Sequence, residues 1–153
     1  MIAKAATISH GGNAVRYSVN KDKSEIVKVN FLPDDISAEA MYQRMVLKQK
    51  EFSSTINKGR PLKRNVIRME ISPTKEESVG WTLADWVRLA NEYIQAFDSI
   101  DLSKKAKRAS AKSTNVKNSQ YVVALHHDAK SGIPHLHIDV NRVDMDGKVN
   151  DDH

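Results

Sequence analysis

Cysteine is missing from this chain altogether, which excludes a disulfide framework and any thiolate metal site, so a metal ion here can be held only by nitrogen or oxygen. Long apolar runs are missing too. Nothing approaches the about 18 residues that a membrane-crossing helix needs, and no apolar stretch of signal-peptide type follows Met1, so the expectation is a cytoplasmic protein with no membrane insertion. An acidic excess is also absent. The 24 Lys and Arg outnumber 19 Asp and Glu, giving a formal charge of +5 and a pI near 9.4, a balance that suits a polyanionic partner without requiring one. Acids vanish entirely between Asp101 and Asp128, where Lys104, Lys105, Lys107, Arg108, Lys112 and Lys117 punctuate a Ser/Ala/Asn-rich stretch. Such a composition cannot build a core, so the segment reads either as a solvated loop or as a flap that grips phosphates and orders on nucleic acid.

What is present is histidine in an unusual arrangement. Residues 126–141 (HHDAKSGIPHLHIDVN) hold four of the six histidines. If 135–141 is a strand, its period of two places His135 and His137 on one face with Asp139 and Asn141, the two imidazoles roughly 6–7 Å apart, while Leu136, Ile138 and Val140 fill the other. The preceding run QYVVALH also reads as a strand, and a hairpin between the two brings His126 alongside the pair. Three neutral imidazoles converging on one point make a metal site with open coordination positions, as catalytic metals require. The bland alternative is a pair of core strands whose histidines are hydrogen-bonded. Imidazole suits zinc, manganese, cobalt or nickel better than magnesium, so Mn²⁺ is expected to bind more tightly than Mg²⁺, which cellular abundance favours. Asp128 and Asp139 are the nearest carboxylates, suited to orient an imidazole or take a proton, and His127 should point away from His126. An EF-hand reading of the acidic tail fails because its first ligand position would be Arg142.

With 153 residues the chain is long enough for one ordinary core. Residues 2–8 form an apolar run, AVRYSVNK suits one or two helical turns, and EIVKVNF looks extended. Ser37 is a plausible N-cap for a helix over 38–58, with Met41, Met45, Phe52 and Ile56 along one stripe. NVIRMEIS alternates Ile67, Met69 and Ile71 against Val66, Arg68 and Glu70, the pattern of a half-buried strand. Thr82 to Asp85 resembles a capping box opening a helix to about Phe97. Asp146-Gly147 between Val143 and Val149 looks like a tight hairpin turn. Helices alternate with strands until the last two strands, which favours an α+β fold: a central, mostly antiparallel sheet with helices on one face and the metal on the other. Of the four tyrosines, Tyr42 and Tyr93 lie in amphipathic helices and Tyr121 in a strand. Tyr17 follows HGGNAVR in polar company, where it serves either as the aromatic anchor of a helical turn or as a nucleophile, for which water and serine are the other candidates.

Together these residues resemble the mobilisation relaxases of the P-type group, within the HUH endonucleases named for a histidine-hydrophobe-histidine motif. His126-His127-Asp128, Pro134-His135-Leu136-His137 and Asn141-Arg142-Val143 are similar to the family's histidine pattern. NAVRYSVNKDK resembles the nucleophile motif, with the tyrosine at Tyr17, and MEISPT the central motif, a strand ending at Ser72, which the resemblance puts among the DNA contacts. The resemblance implies a palm or ferredoxin-like sheet and strand transfer on single-stranded DNA at a transfer origin, for conjugative mobilisation of a plasmid or transposon. In that chemistry Tyr17 attacks the scissile phosphate, leaving a 5′-phosphotyrosine and a free 3′-hydroxyl. His126, His135 and His137 hold Mn²⁺ or Mg²⁺, Asp128 orients an imidazole or accepts a proton, and the basic 104–117 segment holds backbone. Accessory mobilisation proteins and a coupling protein are implied partners. Residues 1–153 are then one relaxase catalytic domain, cut short at its C-terminus. The competing readings are a nuclease or phosphoesterase that uses water, an HUH replication initiator, and a nucleic-acid-binding module with structural histidines.

Overall fold

A computed structural model describes residues 1–103, 113–127 and 130–152. The chain runs β1 (Ile2–Ile8), α1 (Gly11–Asn20), β2 (Ser24–Asn30), α2 (Ala38–Glu51), β3 (Val66–Ser72), α3 (Leu83–Asp98), β4 (Tyr121–His126) and β5 (His135–Asn141), with short 3₁₀ turns at Asn57–Gly59 and Val116–Asn118. The strands form one sheet in the order β1-β3-β5-β4-β2, and each neighbouring pair is antiparallel. Val143 and Val149 form an isolated bridge across the Asp146-Gly147 turn, where Gly147 has φ +88°. The expected α+β class and element order are those observed.

Period-two alternation decides what each sheet face does. Ile67, Met69 and Ile71 of β3, Tyr121, Val123 and Leu125 of β4, and Leu136, Ile138 and Val140 of β5 meet Trp86, Leu89, Ala90, Ile94 and Phe97 of α3 in the main core. Each fully buried aliphatic side chain there contributes about 1.5–3 kcal/mol. The wide apolar face of α3 follows its sequence, and the helix starts where the Asp85 carboxylate accepts the Thr82 backbone N–H at 2.8 Å.

The expectation that all helices share one face needs correction. Val66 and Val122 lie on the opposite face, where with Val15, Leu32, Ala38, Met41 and Met45 they form a second cluster that seats α1 and α2. That face is apolar at one end and polar at the other, so helices close only its apolar end. The close seating of α1 depends on Gly11, where a Cβ would stand 2.5 Å from Val66 Cγ2 and 2.8 Å from Asn65 Oδ1. Helix α2 also ends at Glu51 rather than running on to 58. Phe52 packs against Gly147 of the distant turn, the next residues are Ser53, Ser54 and Thr55, and Asn57 and Lys58 adopt positive φ, which no α-helix accommodates.

Candidate active site

The polar end of the second face is built by register. His126 of β4 stands opposite His135 of β5, and His137 lies two residues further along β5 between Ala124 and Glu70. The ring centroids are 4.1 Å apart for His126 and His137, 4.9 Å for His135 and His137, and 5.3 Å for His126 and His135. One ligand atom from each of the three lies within 4.8 Å of the others. His126 and His137 are buried, and His135 is partly exposed.

The two buried imidazoles, His126 and His137, each meet a different neighbour at one ring nitrogen. The Ser18 carbonyl accepts from His126 Nε2 at 2.8 Å, which leaves Nδ1 to offer a lone pair. His137 Nδ1 faces Glu70 Oε1 at 3.7 Å, and its Nε2 is buried with no hydrogen-bond partner among the described residues. Burial, followed by the neighbouring His126, His135, Arg68 and Lys21 charges, drives the His137 pKa down to about 2, so this ring stays neutral. A neutral His137 whose buried Nε2 is unpartnered among the described residues, two further imidazoles beside it and one more open side together fit a divalent cation with room for a substrate oxygen.

Tyr17 stands on α1 beside this cluster. Its ring centroid is 5.7 Å from those of both His126 and His137, and the side chain remains 42% exposed. Lys21, one helical turn on, donates to the Tyr17 hydroxyl and holds its ammonium 4.5 Å from the ring centre. Ser18, the next residue, makes the carbonyl contact to His126, so the helix that carries the phenol is tied directly to the triad.

Two residues that the sequence left on the polar side of β3 without a role also enter the site. Arg68 Nη2 is 3.4 Å from His137 Nδ1 and 3.3 Å from Glu70 Oε1, and its Cζ is 5.1 Å from the Tyr17 ring centre. Glu70 also pairs with Lys4 at 2.8 Å. The only signal for them was alternation, which places residues on a face but not against a particular partner. Asp139 is fully buried, and neither oxygen has a hydrogen bond of normal geometry among the described residues. Burial pushes its carboxyl up to about 6, against the opposing pull of the nearby Ser18 hydroxyl and of Arg68.

The other candidates separate. Ser72 shares a groove with Ile2, Lys4, Glu70 and His135. Lys117 sits at the opposite end of β4 from His126, its backbone N–H bonded to Asp98 at 3.0 Å and its carbonyl to the Asn30 amide at 3.0 Å, so the fold does not bring it to the triad. His127 points to Glu25, 3.0 Å away, outside the cluster. Asp144 accepts the Asp146 and Lys148 N–H groups at 2.8 and 2.9 Å as a turn residue. Asp128, Lys104, Lys105, Lys107, Arg108 and Lys112 lie outside the described residues. Among the described residues no helix is long and apolar enough to cross a membrane.

Comparison with known proteins gives one family and one solved structure. No curated protein matches this chain. The metal-bound structure of the conjugative relaxase TrwC in complex with oriT DNA is similar at a TM-score of 0.49 and 12% identity, covering 98% of this chain and 61% of that one. This chain thus spans about three-fifths of the length of the chain in that structure. The family model for the MobA/VirD2-like relaxase nuclease domain matches residues 17–153, a stretch that opens on Tyr17 and contains all three clustered histidines, and the chain belongs to that family.

Proposed function

We propose that residues 1–153 act as one catalytic domain that nicks single-stranded DNA at a transfer origin through Tyr17. The observation that supports this most is the phenol ring 5.7 Å from two members of the imidazole cluster, on an exposed helix face that a DNA strand can reach. His126 Nδ1, His135 and His137 Nε2 would hold a divalent cation, Mn²⁺ in preference to Mg²⁺ on ligand softness, which supplies positive charge against the non-bridging oxygens of the scissile phosphate.

The chain's own groups do the rest. The Tyr17 oxygen forms a bond to phosphorus as the bond from phosphorus to the 3′-oxygen breaks. The phenol gives up its proton and the departing 3′-oxygen gains one, leaving a 5′-phosphotyrosine and a free 3′-hydroxyl. The Lys21 ammonium steadies negative charge on the phenol oxygen as attack begins, and the Arg68 guanidinium, 5.1 Å from the ring centre, also holds the ring. Glu70, 3.7 Å from His137 Nδ1, is the carboxylate placed to orient that ring when Nδ1 carries its proton, the part that spacing suggested for Asp128, which remains a candidate proton acceptor. Ser72 and Lys4 offer contacts along the groove beside His135, and the basic 104–117 segment would hold DNA backbone. In this reading the protein works in the cytoplasm with accessory mobilisation proteins and a coupling protein.

Incubation with single-stranded origin oligonucleotides and Mn²⁺, followed by denaturing electrophoresis, tests it. A covalent protein–DNA adduct is expected, reduced at least about 100-fold by Tyr17→Phe. Cleavage that leaves no adduct and survives Tyr17→Phe would show a nuclease that uses water and would end this reading.

A further inference from the structure

Arg68 touches the imidazole cluster as well as the Tyr17 ring. It projects from the middle of β3, opposite Ala6 of β1 and Asp139 of β5. Its guanidinium reaches the Nδ1 side of His137, the Glu70 carboxylate and the Tyr17 ring together, and its Nε is buried with no hydrogen-bond partner among the described residues. A permanent cation is thus built into the edge of a site whose ligands suit another cation.

Two physical consequences follow from that placement. A guanidinium keeps its charge at any working pH, and beside a ligand imidazole in a half-buried setting it opposes an incoming divalent ion. It also makes the wrong demand on His137. An imidazole that ligates through Nε2 carries its proton on Nδ1 and needs an acceptor there, which Glu70 is and Arg68, a donor only, is not. A phosphodiester reverses both effects, because its oxygens match the planar fork of the guanidinium, draw the donors away from Nδ1 and offset the charge.

We propose that Arg68 couples the metal to the DNA: it weakens cation binding until a phosphodiester lies in the site, and it then helps to hold that phosphate, so the two bind cooperatively. This rests on the metal centre of the preceding section. Arg68 acts here as a positioning residue, and free protein would carry little metal until substrate arrives, which limits stray cleavage.

Calorimetric titration of Mn²⁺ into the Tyr17→Phe protein, with and without a single-stranded oligonucleotide of about 12 nucleotides and mixed sequence, measures the coupling. The oligonucleotide is expected to tighten Mn²⁺ binding about tenfold. Adding Arg68→Gln should tighten DNA-free Mn²⁺ binding about three- to tenfold and shrink the coupling to about twofold or less, whereas Arg68→Lys, which keeps the charge, should preserve the weak DNA-free affinity. Arg68→Met replaces the Gln variant if circular dichroism shows the latter unfolded. A neutral variant that binds Mn²⁺ no more tightly without DNA, or that keeps the full coupling, overturns the inference and leaves the metal centre standing. A Tyr17→Phe protein that binds no Mn²⁺ in either condition removes the metal centre, and the inference goes with it.

Discussion

At the scale of single residues, the site is a collection of groups held in states they would not choose in water. Asp139 is the clearest case. Its folded pKa is raised from 3.8 to about 6 by burial, so between those values the folded chain holds a proton that the unfolded chain has lost. Stability from this group is therefore greatest below about pH 4 and falls as pH rises through about 6, above which the buried carboxylate is charged without a normal hydrogen bond. His137 works the other way. Its folded pKa is depressed from 6.5 to about 2, so the unfolded chain takes up a proton below 6.5 that the folded chain refuses, and stability falls as pH drops. The wild-type profile mixes the two, but a comparison of variants at matched pH separates them. In the presence of a chelator, Asp139→Asn should stabilise the fold at neutral pH by up to about 3 kcal/mol and change little near pH 4, as measured by urea denaturation. Equal effects at both pH values would mean that the carboxylate carries no charge penalty.

At the scale of elements, α1 is the part that places the proposed nucleophile, because Tyr17 and the Ser18 carbonyl contact both sit on it. Gly11→Ala should lift its first turn off Val66, at a cost of about 1–3 kcal/mol in stability. Adduct yield should fall more than Mn²⁺ affinity does, since the triad is mounted on β4 and β5 and the phenol is not. Parallel losses in both would show that the strands move with the helix. Much of this element map was readable beforehand. The alternation in NVIRMEIS placed Ile67, Met69 and Ile71 in the core, Thr82 and Asp85 marked the start of α3, and His-x-His on a strand forced His135 and His137 to one side. Three features were not readable, each for a physical reason. The end of α2 is set by Phe52 meeting Gly147, a contact between residues far apart in the chain. The seating of α1 and α2 on the second face depends on Val66 and Val122, which a local pattern shows only as members of a strand's polar side. The roles of Glu70 and Arg68 come from strand order, because β3 lies next to β5 in the sheet, and no spacing within either strand encodes that adjacency.

At the scale of the molecule, the triad ties together parts of the chain that sheet pairing alone links only through backbone. His126 comes from β4, His135 and His137 from β5, and α1 is attached through Ser18, so a cation that binds the folded arrangement and not the unfolded chain stabilises all of them at once. At a metal concentration about 100 times the dissociation constant, mass action supplies about 2.7 kcal/mol. For a domain of this size that raises the melting temperature by about 5–10 °C. Mn²⁺ is expected to produce such a shift at lower concentration than Mg²⁺, since imidazole holds the softer ion better. His135→Ala is the informative variant, because this ring is the most exposed of the three and its loss leaves the smallest defect in the core. Its melting temperature in chelator should stay close to that of the unaltered protein, while the Mn²⁺ response disappears. A response that persists in His135→Ala would locate the stabilising ion elsewhere, and a response equal for both metals would point to carboxylate rather than imidazole ligands.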